Sequence, residues 1–351
     1  MKFMIGYKLE DNKLIIYYCS NNKNIEKYVL RIKKEDMFNR VLARKGMLLY
    51  NVIKNQSLLK KVKSNKLSNT RILEIMEENI PEDDKKIIFN LNIPKKYSID
   101  IEVDSSNGMP NAKEPTDKII SIAAVDEDWN IYTWTYNEKG EYDIGYVMNK
   151  IHNHIRDYVD TSKVKIVSFK FDNEENLVTH FFVFFIERIH LAIGWFFIDF
   201  DCQYLVNRPK ILNYNLYQKI VNDSVLYNGI YYPVNKMVID YLSYFKRWDT
   251  SVEVKETLNL DYVSESILGL KKFGYVGKLS NLYYENFNDF IVYNIVDSIL
   301  VLLIQNKLKL LELARFLMYF TRSPYYRISP VNLGENLFTL YFLKRNIYLF
   351  S

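Results

Sequence analysis

The sequence predicts an α/β protein with a smaller α+β domain at its amino terminus, and three observations carry the prediction. From Lys95 onward, short β-branched runs alternate with segments of helical period, the pattern of a sheet covered by helices. Before that, apolar and polar residues alternate around Ile5, Tyr7, Leu14, Ile16 and Tyr18, in short runs joined by Asp-Asn and Asn-Asn turns. Finally, a length of 351 residues favours about two domains, and 48% hydrophobic with 15% aromatic residues is ample for packed cores.

The first unit runs to about residue 96. Its lysine-rich stretch, with Lys60, Lys61, Lys63 and Lys66, reads either as a solvated helix face or as a phosphate-contacting surface. Glu77 to Lys86 turns from acidic to basic around Pro81 and reads as a connection. A net charge of +5, from 47 basic and 42 acidic residues, permits binding to a phosphate backbone without demanding it. Cys19 and Cys202 are too few for a disulfide framework, so a reducing compartment is expected. Charges at Lys8, Glu10 and Asp11 argue against a signal peptide. The most apolar run, Phe181 to Phe197, is interrupted by Glu187, Arg188 and His190 and reads as a buried helix followed by a buried strand, not a membrane span.

In the second unit the first strand is Ser98-Ile99-Asp100-Ile101-Glu102-Val103, followed by a loop rich in turn residues and by strands at 119–125 and 131–134, an antiparallel start to a sheet. Tyr146, Met148, Ile151, Ile155 and Tyr158 recur at helical spacing, with His152 and His154 taken as surface histidines. A strand over 163–169 leads to a helix over 174–189 capped by Asp172 or Asn173, and 191–195 returns as a buried strand. Asn228-Gly229 between aromatic and aliphatic residues predicts a hairpin. Helices are expected over 258–267 and 287–311, and a last helix or strand over 337–348, after Pro324 and Pro330, with nothing beyond it to pack against.

Strand side chains repeat with period two, so Asp100 and Glu102 emerge on one face. Two adjacent carboxylates repel, and a divalent ion bound by oxygens is the usual positive partner, although a solvated strand face explains the hexapeptide alone. A second acidic element, Asp199-Phe200-Asp201, lies where a buried strand gives way to a helix; one of the two aspartates serves as helix cap, which does not account for both. The third element is Tyr293-Asn294-Ile295-Val296-Asp297, where a spacing of four puts phenol and carboxylate on one helix face. Four carboxylates can hold two divalent ions about 3.5–4 Å apart, an arrangement that clamps a phosphodiester.

The ordered set resembles the 3′–5′ proofreading exonuclease domain of family B DNA polymerases, closest in style to those of T-even-type bacteriophages. The resemblance rests on SIDIEV (98–103), GWFFIDFDCQYLVNR (194–208) and YNIVD (293–297), with support from FDNEENLV (171–178), IDYLSYFK (239–246) and LDYVSESILGLKK (260–272). It implies an RNase H-like fold, metal ligands Asp100, Glu102, Asp201 and Asp297, and Tyr293 as the residue that helps a nucleophilic water. Phe200-Asp201 aligns with the family's aromatic-Asp pair, which leaves Asp199 as the cap. Lys272 is either a phosphate-stabilising group or a solvated lysine beside Lys271. The family usually has asparagine where this chain has Phe196, a side chain that can stack or pack at a DNA end but not hydrogen-bond to it.

The resemblance also implies two Mg²⁺ ions, with Mn²⁺ as an alternative, a substrate that is a single-stranded 3′ DNA end or a primer-template, and no membrane. The expected division is an N-terminal domain over 1–96, an exonuclease domain over 97–310, and a C-terminal segment, 311–351, leading towards a palm domain. Segments of the type D-x-x-S-L-Y-P-S and Y-x-D-T-D-S, which carry nucleotidyl transfer in the family, do not occur in these residues. The chain therefore reads as a proofreading part without its own polymerase site, either a split-polymerase subunit with a separate polymerase-domain chain as partner or a fragment, located in the cytoplasm (of the host cell if viral). The alternative function is a DNA-binding and assembly module of a split polymerase, with nuclease activity weak or lost.

Overall fold

The computed structural model describes residues 3–10, 13–19, 25–31, 69–89, 93–106, 108–136, 142–248, 257–277 and 279–345. The lysine-rich stretch and the Asp11-Asn12 and Asn21-Asn22 turns lie outside them. Two compact units divide the chain: residues 1–93 with 312–351, and residues 94–311.

In the first unit, β1 (Phe3–Glu10), β2 (Lys13–Cys19) and β3 (Ile25–Arg31) form an antiparallel sheet in sequence order. Leu14, Ile16 and Tyr18 alternate along β2 and pack with Ile72, Ile75 and Met76 of α1 (Asn69–Asn79) and Ile88 of α2 (Glu82–Ile88). Glu77 to Lys86 is therefore mostly helical and not a connection. Pro81 occupies the N-cap of α2, where its fixed φ is compatible with the helix start.

The second unit is built on a six-stranded mixed sheet. Its strands are β4 (Lys96–Val103), β5 (Ile119–Asp126), β6 (Asn130–Tyr136), β7 (Lys165–Phe171), β8 (Leu191–Gly194) and β11 (Met237–Asp240), in the order β11-β8-β4-β5-β6-β7. β4, β5 and β6 pair antiparallel, whereas β8 joins β4, and β11 joins β8, in parallel. Between β6 and β7 lies α3 (Ile144–Ile155), and between β7 and β8 lies α4 (Glu174–Arg188), capped by the Asn173 side chain. The chain then forms α5 (Asp201–Asn207), α6 (Pro209–Leu212), α7 (Tyr214–Asn222), a hairpin of β9 (Ser224–Tyr227) and β10 (Ile230–Pro233), and α8 (Tyr241–Trp248). Asn228 and Gly229 both take positive φ at the hairpin tip, as a tight two-residue turn requires.

Helices α9 (Leu260–Leu268), α10 (Leu279–Glu285) and α11 (Phe287–Leu308) complete the unit. Lys309, in the left-handed region, ends α11, and α12 (Leu310–Thr321) begins at once, so the predicted 287–311 helix is two helices. The last helix, α13 (Pro330–Leu343), starts seven residues earlier than expected because Pro330 takes its first turn, and it packs against α1 within the first unit.

Two faces of the large sheet do different work. Tyr97 on β4 and Tyr132 and Trp134 on β6 meet Phe184 of α4, and the fully buried Trp134 indole donates to His180 Nδ1 at 2.9 Å. The opposite face carries Asp100, Glu102, Ser121 and Ala123, since β4–β5 pairing sets Asp100 against Ala123 and Glu102 against Ser121. Small residues on β5 let α11 lie close, and Ser298 Oγ reaches the Ala123 carbonyl at 3.4 Å. By length and composition α11 would span a membrane, but 78% of its most apolar window is buried in the protein, where it is the core helix.

Candidate active site

The site forms where β4 runs beneath α11. Carboxylate oxygens of Asp100, Glu102 and Asp297 lie within 4.8 Å of one another. Glu102 and Asp297 are buried and Asp100 is partly so. Asp201, the first residue of α5, is buried close by, but its Oδ1 accepts the Ile101 backbone N–H at 3.0 Å and it is not a member of that group. Asp199 is exposed and does not cap the helix: Phe200 holds the cap position and supplies no side-chain bond.

Burial removes water from these carboxylates, and their mutual repulsion adds to the effect. Both causes push Asp100 up to about 8, with Asp297 its strongest charged neighbour. Glu102 is raised by burial and then by Asp100 and Asp297, and Asp201 by burial and then by Asp100. Asp297 is also raised by burial, an effect partly offset by Lys272. The Lys272 ammonium lies 2.5 Å from Asp297 Oδ2 and donates to the Tyr293 hydroxyl at 2.8 Å. Lys272 is thus a partner of the acidic group and not a solvated surface lysine. Burial and the Asp297 charge raise the Tyr293 pKa, so its phenol stays protonated at neutral pH.

Phe196 lies in the turn after β8. A Cβ at Gly194 would meet the Ile99 carbonyl oxygen and the Phe197 ring at 2.7 Å, so only glycine fits against β4 there. The chain turns through Phe196 at φ 59°, and the Trp195 indole fixes that turn by donating to the Leu258 carbonyl at 3.0 Å. Phe196 is 47% exposed, so part of its surface is open to contact.

Sequence reasoning missed Asn294. Its amide N–H donates to Asp100 Oδ2 at 2.7 Å, and its amide oxygen accepts from Ser121 Oγ at 2.7 Å. The signal lay inside the YNIVD segment, where a polar residue beside the tyrosine occupies a helix otherwise apolar around it. His152 and His154 also differ from expectation: both are partly buried, and His154 Nε2 pairs with the Lys271 carbonyl at 2.9 Å.

Oxygen-only donors, raised proton affinities and a buried Asp297 Oδ1 with no hydrogen bond among the described residues all suit a hard divalent cation. Fold and site together define a class: a mixed α/β domain whose central strand carries a buried acidic cluster able to hold such an ion. Residues 36–264 match DNA polymerase family B, exonuclease domain, and the chain belongs to that family. It is also 27% identical over 244 residues to the DNA-directed DNA polymerase of Escherichia phage RB69. That similarity covers 64% of this chain and 27% of the phage protein, so the chain spans about a quarter of that relative's length. The family match ends before Lys272, Tyr293 and Asp297, which join the cluster through α11 and the segment before it.

Proposed function

We propose that this chain is a proofreading 3′–5′ exonuclease that hydrolyses the terminal phosphodiester of a DNA 3′ end and releases a nucleoside monophosphate. The observation that carries the reading is the gathering of Asp100, Glu102 and Asp297 within 4.8 Å in a chain of this family. Asp100, Glu102, Asp201 and Asp297 are the proposed ligands of two Mg²⁺ ions, with Mn²⁺ as an alternative. When bound, the ions would supply positive charge to the scissile phosphate and to the oxygens exchanged at phosphorus.

The chain's own groups divide the remaining work. Tyr293 keeps its proton, accepts from Lys272 and is hydrogen-bonded to Asp297, so its phenol is held beside the carboxylates, where it orients a nucleophilic water without serving as a base at neutral pH. Asn294 fixes one Asp100 oxygen, and Phe196 offers an exposed ring on which a terminal base can stack. A single strand or a frayed primer end supplies the unpaired base such stacking needs. The strand order β11-β8-β4-β5-β6, antiparallel through β4–β6 and parallel through β4, β8 and β11, supports an RNase H-like assignment for residues 97–310. A separate polymerase-domain chain is the proposed partner.

The test is release of a 3′ label from single-stranded DNA in Mg²⁺. Asp100→Ala is expected to slow it at least about 100-fold, as loss of several kcal/mol of charge stabilisation requires; equal rates in both proteins would reject the reading. The position of Asp201 outside the three-carboxylate group favours a second reading, a DNA-holding module with weak or lost hydrolysis. Tight DNA binding by a wild-type protein that leaves the label intact would select it.

A further inference from the structure

Lys272 is a cation delivered into the carboxylate cluster by a tightly held segment. Its side chain is 25% exposed, whereas that of the adjacent Lys271 is 61% exposed and pairs with Glu265 at the surface. The Lys272 backbone N–H donates to Asp261 Oδ1 at 2.8 Å, His154 pairs with the Lys271 carbonyl at 2.9 Å, and the Tyr158 hydroxyl donates to the Leu268 carbonyl at 3.0 Å. Gly269, at φ 78°, turns the chain out of α9 between these anchors. The ammonium thus reaches Asp297 and Tyr293 from a fixed backbone along a flexible four-carbon stem.

We propose that Lys272 is the resident counter-cation of the metal-free cluster, and that a divalent ion binds by exchange with its ammonium. The inference rests on the reading of the cluster as a divalent-cation site. Three carboxylates within 4.8 Å need compensating charge, and the ammonium's ion pair reaches only one of them, Asp297. A divalent ion carries twice the charge and can be shared among all three, so it displaces the ammonium at the cost of one ion pair. Metal affinity is therefore set below what the carboxylates alone would give, and the metal-free fold is protected. Once released from Asp297, the ammonium keeps its bond to Tyr293 and has its remaining donors free beside the site, where an anionic phosphate would meet them.

Mn²⁺ binding by calorimetry, with thermal unfolding in EDTA, tests the exchange. Lys272→Met and Lys272→Gln are expected to bind Mn²⁺ at least about fivefold more tightly than wild type and to unfold at lower temperature in EDTA, with Mn²⁺ restoring the loss. Lys272→Arg and Lys271→Met should match wild type. Equal or weaker Mn²⁺ binding by both neutral variants would overturn the proposal. Absence of Mn²⁺ binding in wild type and variants alike would instead remove the cation-site reading beneath it. Should the neutral variants not fold, ¹⁵N-lysine NMR of the wild type decides: Mg²⁺ must shift or broaden the Lys272 ammonium signal, and an unchanged signal at saturating Mg²⁺ refutes the exchange.

Discussion

Phe196 sits in the left-handed region, at φ 59°, where a side chain with a Cβ costs about 1–2 kcal/mol and where asparagine is among the best tolerated residues. The backbone of this turn therefore suits the asparagine that the family usually has there better than the phenylalanine this chain carries. Because the residue is 47% exposed, replacing it sacrifices little packing. Phe196→Asn is expected to raise stability by about 0.5–1 kcal/mol in urea denaturation; a destabilised variant would show that the ring packs more than its exposure implies. Asn294 presents the opposite case, a fully buried amide with both ends engaged, to Asp100 and Ser121. Asn294→Leu strands two buried groups, Asp100 Oδ2 and Ser121 Oγ, and should cost about 2–6 kcal/mol, while Ser121→Ala strands only the Asn294 amide oxygen and should cost about 1–3 kcal/mol. A reversed order in denaturation would contradict the relay from β5 through α11 to Asp100.

At the scale of elements, the loop between β4 and β5 is pinned by one buried ion pair. Arg208, just after α5, donates from Nε to Glu174 Oε1 at 2.7 Å and from Nη2 to Glu174 Oε2 at 2.6 Å, while its Nη1 reaches the Pro115 and Thr116 carbonyls. Glu174 also accepts the Ile119 N–H at the start of β5. Glu174→Ala leaves a buried guanidinium without its carboxylate and should cost about 3–5 kcal/mol, whereas Glu174→Gln with Arg208→Met, which removes both charges, should recover part of the loss. A double variant no better than Glu174→Ala would mean that the pair acts chiefly through the loop carbonyls. Elements set by local rules were legible in the sequence: period two gave β4, Asn228-Gly229 gave the β9–β10 hairpin, and the four-residue step placed Tyr293 and Asp297 on one helix. Misreadings at Pro81 and Pro330 share one cause, since proline opens a helix as readily as it ends one. The Asn294–Ser121 bond joins residues 173 apart and the Glu174–Arg208 pair residues 34 apart; such partners emerge only when the sheet closes, so no local pattern announces them.

Over the whole molecule, the carboxylate cluster sets how stability responds to pH. Asp100 is held up to about 8 and Asp240, at the end of β11, to about 6, chiefly by burial, and Glu102, Asp201 and Asp297 are raised as well. In the unfolded chain these groups titrate near pH 4, so between about pH 4 and 8 the folded protein without metal binds more protons than the unfolded one. Stability of the metal-free protein must then fall as pH rises through this window and reach its floor above about 8. His190 opposes the trend: burial lowers it to about 4, so the stability it contributes above pH 6.5 is lost as pH falls towards 4. Five raised carboxylates outweigh His190 between about pH 4 and 6.5, and Lys236, which burial lowers to about 8, opposes them only from about pH 8 upward, so the net slope between about pH 7 and 8 belongs chiefly to the carboxylates. In EDTA the melting temperature should therefore drop from pH 6.5 to pH 8.5, Mg²⁺ should recover most of the loss at pH 8.5 by taking the place of the missing protons, and Asp100→Asn should flatten the slope. A metal-free protein whose melting temperature is constant or rises across that range would show that the cluster is already neutralised from within, with Lys272 offsetting more of its charge than a single ion pair to Asp297 implies.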